Sequence, residues 1–245
     1  MHELSYDLHL HSCLSPCGDD DMLPSNIVGM AVVKGLDVIA LTDHNTSRNC
    51  PAFLELAEAY GILAIPGMEL CTSEEVHVVC LFPTVEQAEA FGDYVESRSP
   101  EIRNRPEIFG DQLIMDWQDE VVGRVSRLLI NASSISVGEL PGLMAEFGGA
   151  AFPAHIDHDS YSVISSLGAI PAEAEFHAAE ISGKGDKELL LKRYPELQDM
   201  ILLLDSDAHY LDWLKERRPW LDLPEKTARC LVDALNGKIQ VKWGR

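Results

Sequence analysis

Six of the nine histidines, His9, His11, His44, His77, His155 and His209, stand at or beside the ends of short apolar runs. The runs are Tyr6 to His11, Val38 to His44, Ile65 to Glu69, Val76 to Cys80, Ala151 to His155 and Ile201 to His209. Packing alone gives no reason to place imidazoles so regularly. A site assembled from the ends of several strands requires it, so the fold must bring distant stretches to one rim, as β/α barrels do at the carboxyl ends of their strands.

A chain of 245 residues can bury a full core, and the spacing of its runs fits one barrel-sized domain, residues 1–245, better than two small ones. The formal net charge of −21 repels the phosphate backbone of long nucleic acids, which argues against a long duplex as partner. It does not exclude a small phosphorylated substrate, because bound cations would invert the sign inside a pocket. The amino terminus has no basic segment followed by an apolar one, and no run approaches the roughly 20 apolar residues that span a bilayer. A cytoplasmic protein with no membrane partner is expected, and nothing in the sequence speaks to its oligomeric state. The six cysteines are irregularly spaced in a long chain, unlike a secreted disulfide scaffold, so reduced thiols are the default. Cys13 and Cys17 flank the region after the histidine pair. The plain reading is a loop holding small buried residues, with metal ligation as the alternative.

Helical signals fall between the apolar runs in the manner of β/α units. Pro24 opens a helix that ends near Gly35, and Pro51 starts one that stops before Gly61. Thr84 with Gln87 and Ser136 with Glu139 have capping-box spacing. Later helices are expected from Asp186 to Tyr194 and from Pro224 to Asn236, with Gly237 as the stop. One stretch, 97–134, breaks the rhythm. It contains two strand-like segments, Gln112 to Trp117 and Val121 to Val125, and is expected to be an inserted hairpin turning near Gln118 and Asp119.

Residues two apart on a strand face one side, so Asp7, His9 and His11 would form one row with both histidines able to bind one ion. Asp7, deeper in the row, would orient an imidazole or accept a backbone N–H. His44 and Asp43 should point to opposite sides, and His44 is the preferred ligand. Glu69 follows Gly67, where the backbone can be approached closely, and a carboxylate there would bridge two ions. Asp207 and His209 repeat the alternation of two. The acidic loop Asp19-Asp20-Asp21 is expected to supply one more oxygen. His77 opens its run rather than closing it, which leaves its position relative to the others open.

These residues resemble the PHP domain, the polymerase and histidinol phosphatase family of metal-dependent phosphoesterases. The resemblance rests on Asp-Leu-His-Leu-His at 7–11, Leu-Thr-Asp-His at 41–44, Pro-Gly-Met-Glu at 66–69, His77, Pro-Ala-His at 153–155 and Asp-Ser-Asp-Ala-His at 205–209. It implies an α/β fold: a distorted seven-stranded (β/α) barrel, TIM-like, with the hairpin as a small insertion. It implies up to three divalent ions, Zn, Mn or Fe. One would be held by His9, His11, Glu69 and Asp207, a second by a loop Asp with His44 and His209, and a third by Glu69, His77 and His155. The family's loop acid commonly sits in Ser-Asp-Gly, whereas here Ser15 is followed by Pro16-Cys17-Gly18. Counting back from Pro24 selects Asp19, with Asp20 as the substitute. Catalysis would then centre on Glu69, Asp207 and His209.

Cations so clustered would neutralise phosphate oxygens and lower the pKa of a shared water toward about 7, making a hydroxide in line with the leaving alcohol. The expected reaction is hydrolysis of a small phosphate ester: a nucleotide, a sugar phosphate or a short oligonucleotide end. Arg48 would contact the substrate and His158 would protonate the leaving oxygen. Two other readings compete, an amidohydrolase-type barrel that hydrolyses C–N or C–O bonds and a PHP module that binds without reacting.

Overall fold

The computed structural model describes residues 2–216 and 219–244, apart from the side chain of His2. In chain order the regular elements are β1 (His2–Leu10), α1 (Pro24–Lys34), β2 (Val38–Leu41), α2 (Cys50–Ala59), β3 (Leu63–Cys71), β4 (His77–Leu81) and α3 (Val85–Arg98). They continue with α4 (Pro106–Phe109), β5 (Leu113–Met115), β6 (Val121–Arg124), α5 (Leu140–Phe147), β7 (Ala150–Pro153), α6 (Val163–Leu167) and β8 (Ala178–Glu180). The last are α7 (Lys187–Arg193), β9 (Ile201–Leu203), β10 (Trp220–Leu223), α8 (Ala228–Leu235) and β11 (Lys242–Gly244).

Local chemistry sets most of these boundaries. Pro24 at the start of α1 has no N–H to leave unpaired, and Gly35 ends the helix at φ 71°, its N–H bonding to Ala31 O and Val32 O. Thr84 Oγ1 accepts the Gln87 N–H at 3.3 Å to cap α3, and Asp186 does the same for Leu189 at 3.0 Å before α7. The last helix begins later than Pro224, because Thr227 caps it by accepting the Cys230 N–H at 3.2 Å.

Seven strands form one curled mixed sheet in the order β11-β10-β1-β2-β3-β4-β7. Of the expected distorted seven-stranded (β/α) barrel, the structure shows an α/β fold with a curled half-barrel sheet of seven mixed strands. Within this sheet the parallel neighbour pairs are β1-β2 and β2-β3, whereas β11-β10, β10-β1, β3-β4 and β4-β7 are antiparallel. The reason is short-range: only the turn Thr72–Val76 separates β3 from β4, too little chain for a crossover helix, so the strand must reverse. The parallel pair β8-β9 lies in the gap between β7 and β1. It is joined to one side by the Ile156 N–H bonding Glu180 O at 2.9 Å, and to the other by the His11 N–H bonding Ala208 O at 3.0 Å.

Buried apolar side chains fill the concave interior (Leu4, Tyr6, Leu8, Val38, Ile65, Phe152) together with the face of α8. A second layer packs α1 and α2 against Ile39 and Leu41. A third packs α3 and α5 against Met68, Val78 and Phe82. The expected hairpin is present as β5-β6, antiparallel and shorter than its sequence span. It is fastened to the framework by Asn49, whose side chain donates to Leu113 O at 3.2 Å and accepts the Met115 N–H at 2.9 Å. Among the described residues no helix is long and apolar enough to cross a membrane.

Candidate metal centre

One rim of the curled sheet collects the histidines, and strand direction explains how. His9 and His11 lie at the carboxyl end of β1, and His44 follows β2. Because β4 runs backwards, its first residue, His77, lies at the same rim, opposite Cys71 of β3. β7 reverses again, so His155, just beyond its carboxyl end, rejoins them. The position of His77, left open by its place at the start of a run, is explained because an antiparallel strand brings its amino end to that rim. The predicted row of Asp7, His9 and His11 is broken by a register shift between Asp7 and Leu10. Such a bulge re-aims side chains. Asp7 instead accepts the Ser206 N–H at 3.0 Å, and burial pushes its carboxyl up to about 6. Nor does strand geometry continue through Asp205 to His209. β9 ends at Leu203, and Asp207 turns the chain at φ 50°.

Glu69 stands at the centre. Its Oε1 is 2.9 Å from His77 Nδ1 and 3.3 Å from both His9 Nε2 and His155 Nε2. Its Oε2 is 2.9 Å from His44 Nδ1 and 3.4 Å from His11 Nε2. Asp207 Oδ1 is 3.2 Å from His11 Nε2 and 3.5 Å from His209 Nδ1. Three groups of donor atoms, each within 4.8 Å of one another, emerge: His9, His11 and Glu69; His44, Glu69 and His77; and His11, His44 and His209.

The electrostatics are those of crowded, buried titratable groups. Burial opposes charge on Glu69, but His77, His9 and His44 outweigh it and hold the carboxyl well below the usual range. Burial likewise works against a charge on His11. The neighbouring carboxylates of Asp207 and Glu69 win, raising it to about 9. His44 and His209 are pushed down to about 4 and about 3, chiefly by burial, and stay neutral. Within this cluster Glu69 Oε2, His44 Nδ1 and Asp207 Oδ1 are buried with no hydrogen-bond partner. Each such atom costs about 1–3 kcal/mol. Buried, unpartnered imidazole and carboxylate donors converging on one space fit divalent transition-metal ions, which supply the missing partner.

Residues outside the expected set hold this arrangement. Glu180, fully buried, places Oε2 at 2.7 Å from His9 Nδ1 and accepts the His155 N–H at 3.2 Å with Oε1. Its signal was a carboxylate ending the apolar triplet Ala178–Glu180. Asp43 accepts the Ser12 N–H at 2.7 Å and the Ser15 hydroxyl at 2.6 Å, and Ser15 Oγ lies 2.9 Å from His11 Nδ1. Asp43 therefore fastens the loop after the histidine pair, while His44 faces the cluster. Tyr161, at φ 55°, stacks on His77 with ring centroids 4.7 Å apart. His155 and Asp207 also have positive φ, 28° and 50°, conformations that cost a non-glycine residue about 1–3 kcal/mol and gather at functional sites.

The loop acid is not drawn in. Asp19 Oδ1 accepts the Asp21 N–H at 3.0 Å, and among the described residues no ion pair or hydrogen bond joins its carboxylate to a histidine. Asp20 is exposed. The loop instead brings Cys17 Sγ to 3.2 Å from His44 Nε2. Arg48 lies beyond the cluster, half-exposed and paired with Glu96 at 3.3 Å and Asp93 at 3.5 Å. His158 is exposed and stacks on His155 with centroids 4.5 Å apart; partial burial and the charge of His155 lower its pKa. A cavity of about 180 Å³ opens over the centre, with His158, Ser160 and Tyr161 on its wall.

Comparison with known proteins places this geometry. The chain is 25% identical over 178 residues to the 5'-3' exoribonuclease Rnm of Salmonella typhimurium, an alignment covering 69% of this chain and 57% of that one. It also superposes on the lesion-specific endonuclease PfuEndoQ of Pyrococcus furiosus with a TM-score of 0.72 at 17% identity, covering 99% of this chain and 58% of the other. A structure of Endonuclease Q with a 27-mer duplex carrying an abasic lesion at its active site matches equally, with a TM-score of 0.72, 17% identity, and coverage of 98% and 58%. The chain thus spans little more than half the length of these relatives. The duplex complex overturns the argument from net charge against a long duplex partner. A whole-chain charge describes the average surface, whereas a backbone is gripped at a site whose sign bound cations set. The PHP domain family matches this chain over residues 7–209, and the chain belongs to the PHP domain family.

Proposed function

We propose that this protein is a metal-dependent phosphodiesterase that cleaves nucleic acid. The observation that carries the reading is the convergence of five histidines on the buried carboxylate of Glu69, with Asp207 and the sixth histidine, His209, beside it, at the floor of an open cavity. Relatives named as an exoribonuclease and an endonuclease support a polynucleotide over the small phosphate ester expected from sequence.

His9, His11, Glu69 and Asp207 would hold one ion, His44 and His209 a second, and His77 and His155 with Glu69 a third. Bound divalent ions supply Lewis acidity toward phosphate oxygens and lower the pKa of water. The chain's own side chains do the rest. Glu180 fixes the ring of His9 so that Nε2 faces Glu69. His158, its pKa lowered, faces the cavity neutral at pH 7, able to accept a proton from water and pass it to the leaving oxygen. The exposed pairs holding Arg48 are weak, about 0–1 kcal/mol, so its guanidinium can turn to a phosphate. Tyr161, Tyr210 and Trp213 supply aromatic faces for bases: Trp213 lies 6.3 Å from the His209 ring and 4.8 Å from Tyr210. Residues 1–245 act as one domain in this reading, because strands from both ends of the chain share one sheet. A reducing, cytoplasmic setting belongs to it too, supported by six free thiols.

The test is hydrolysis of end-labelled single-stranded and duplex oligonucleotides, the latter with and without an abasic site, beside a panel of phosphomonoesters, amides and lactones. Oligonucleotide cleavage that disappears with chelator and in Glu69→Gln supports the reading. Turnover confined to monoesters, amides or lactones would overturn it.

A further inference from the structure

We propose that Cys17 is a metal ligand: its thiolate joins His44 and His209 around one divalent ion of the zinc class, in the place that sequence assigned to Asp19. The sulfur lies 3.2 Å from His44 Nε2, while His44 Nδ1 lies 2.9 Å from Glu69 Oε2. His11, His44 and His209 already have donor atoms within 4.8 Å of one another. His44, nine-tenths buried, leaves Nδ1 without a hydrogen-bond partner, and so does the equally buried Glu69 with Oε2. The sulfur thus meets Nε2 of a buried ring whose other nitrogen, Nδ1, faces Glu69 in the same cluster.

The loop is built to hold the sulfur there. The Gly18 N–H bonds Ser15 O at 2.9 Å, and the Asp19 N–H bonds His209 O at 3.0 Å, which ties the loop to the segment bearing His209. A Cβ on Gly18 would stand 2.3 Å from Ser12 O, so only glycine lets the chain double back immediately after Cys17. The Ser15 hydroxyl is held by Asp43 at 2.6 Å. Asp19, meanwhile, spends its carboxylate on the Asp21 N–H at 3.0 Å. Of the six cysteines Cys17 alone is exposed, at the opening of the cluster, and among the described residues it is the one whose sulfur meets a histidine nitrogen.

A thiolate with imidazoles is a soft to borderline donor set, which favours zinc, cobalt or ferrous iron over manganese or magnesium. The thiol releases its proton to solvent when the ion binds, and nothing is oxidised or reduced. Even an outer-shell partner is worth about 10–100-fold in affinity, so losing the sulfur should cost about tenfold or more in zinc binding.

The experiment replaces the metal of the full-length protein with Co(II). A near-ultraviolet sulfur-to-cobalt charge-transfer band is expected, retained in Cys13→Ser and lost in Cys17→Ser. Chelator competition should show the weakened zinc binding in Cys17→Ser, and Cys17→Asp should rebind zinc or manganese without the band. Should Cys17→Ser fold poorly, alkylation of the wild-type thiol by N-ethylmaleimide decides, with protection by added zinc expected. A cobalt-loaded protein without the band, a band and affinity unchanged in Cys17→Ser, or alkylation indifferent to zinc would each overturn the assignment. None of these readouts uses turnover, so failure of the phosphodiesterase reading leaves them standing.

Discussion

Glu180 Oε2 lies 2.7 Å from His9 Nδ1, and the other oxygen of the same carboxylate accepts the His155 N–H at 3.2 Å. One buried group therefore sets the ring of a histidine on β1 and the backbone of a histidine beyond β7. Binding by His9 through Nε2 needs the proton on Nδ1, and a carboxylate there both fixes that tautomer and raises the basicity of the ligating nitrogen.

Glu180→Ala should accordingly weaken metal binding by about 10–100-fold while the Cys17 region is untouched. Chelator competition on the folded variant measures it. Glu180→Gln, which keeps the hydrogen bonds and loses the charge, should fall between. Wild-type affinity in Glu180→Ala would show that the contact is packing only.

Gly67 offers a test on the strand that carries Glu69. A Cβ built there stands 2.5 Å from Cys80 O and 2.6 Å from Leu81 Cδ2, so β3 and β4 approach where only a hydrogen fits. Gly67→Ala should destabilise the fold by about 1–3 kcal/mol through overpacking, read as a lowered denaturation midpoint with an unchanged slope. Full stability in the variant would mean that the strands separate at little cost, and the close approach would lose its place in positioning Glu69.

Acidity should act on the metal-stripped protein from both sides. His11 rises from its ordinary value near 6.5 to about 9, so its contribution is full below 6.5 and lost as pH climbs through 9. His44 falls to about 4, so it favours the folded state above 6.5 and gives that up as pH drops toward 4. The stripped protein should therefore be most heat-stable near neutrality. Metal loading at pH 7 should expel the His11 proton, detectable as heats that depend on the buffer's ionisation enthalpy. Apparent affinity should rise from pH 6 to 9. Affinity flat across that range would contradict the charge assigned to His11.

The clustering of the candidate ligands was legible in sequence because imidazoles and carboxylates that repeatedly end apolar runs serve few purposes besides meeting at one rim. All six histidines and both carboxylates, Glu69 and Asp207, come together at one rim. Helix starts at Pro24, Thr84 and Asp186 were legible because capping is decided within four residues. Strand direction was not. Alternation along β4 reads the same in either sense, and only its pairing with β3 sends His77 to the rim. The bulge in β1 depends on register against β2, which one segment does not encode. Glu180 looked ordinary because its partners, His9 and His155, lie 171 and 25 residues away. Net charge misled about nucleic acid because it averages over a surface, and the grip on a phosphate is local.

The aromatic side chains beside the centre offer a test between the proposed polynucleotide substrate and a small ester. Tyr161 is 46% exposed, Tyr210 43% and Trp213 52%, although each is large and mostly apolar. Tyr161 is held flat against His77, and Trp213 packs against Tyr210 near His209, so aromatic faces stand at two sides of the cluster. Stacking of a base on such a face is worth about 1–3 kcal/mol, or roughly 5- to 150-fold. Trp213→Ala and Tyr161→Ala should raise KM for an oligonucleotide by a factor in that range, leave kcat within about twofold, and leave KM for a phosphodiester without bases unchanged. Metal content, measured on the same preparations, should not move. A KM that rises equally for both substrates would assign the rings to holding His77 and His209, and one that rises for neither would remove base stacking from this site.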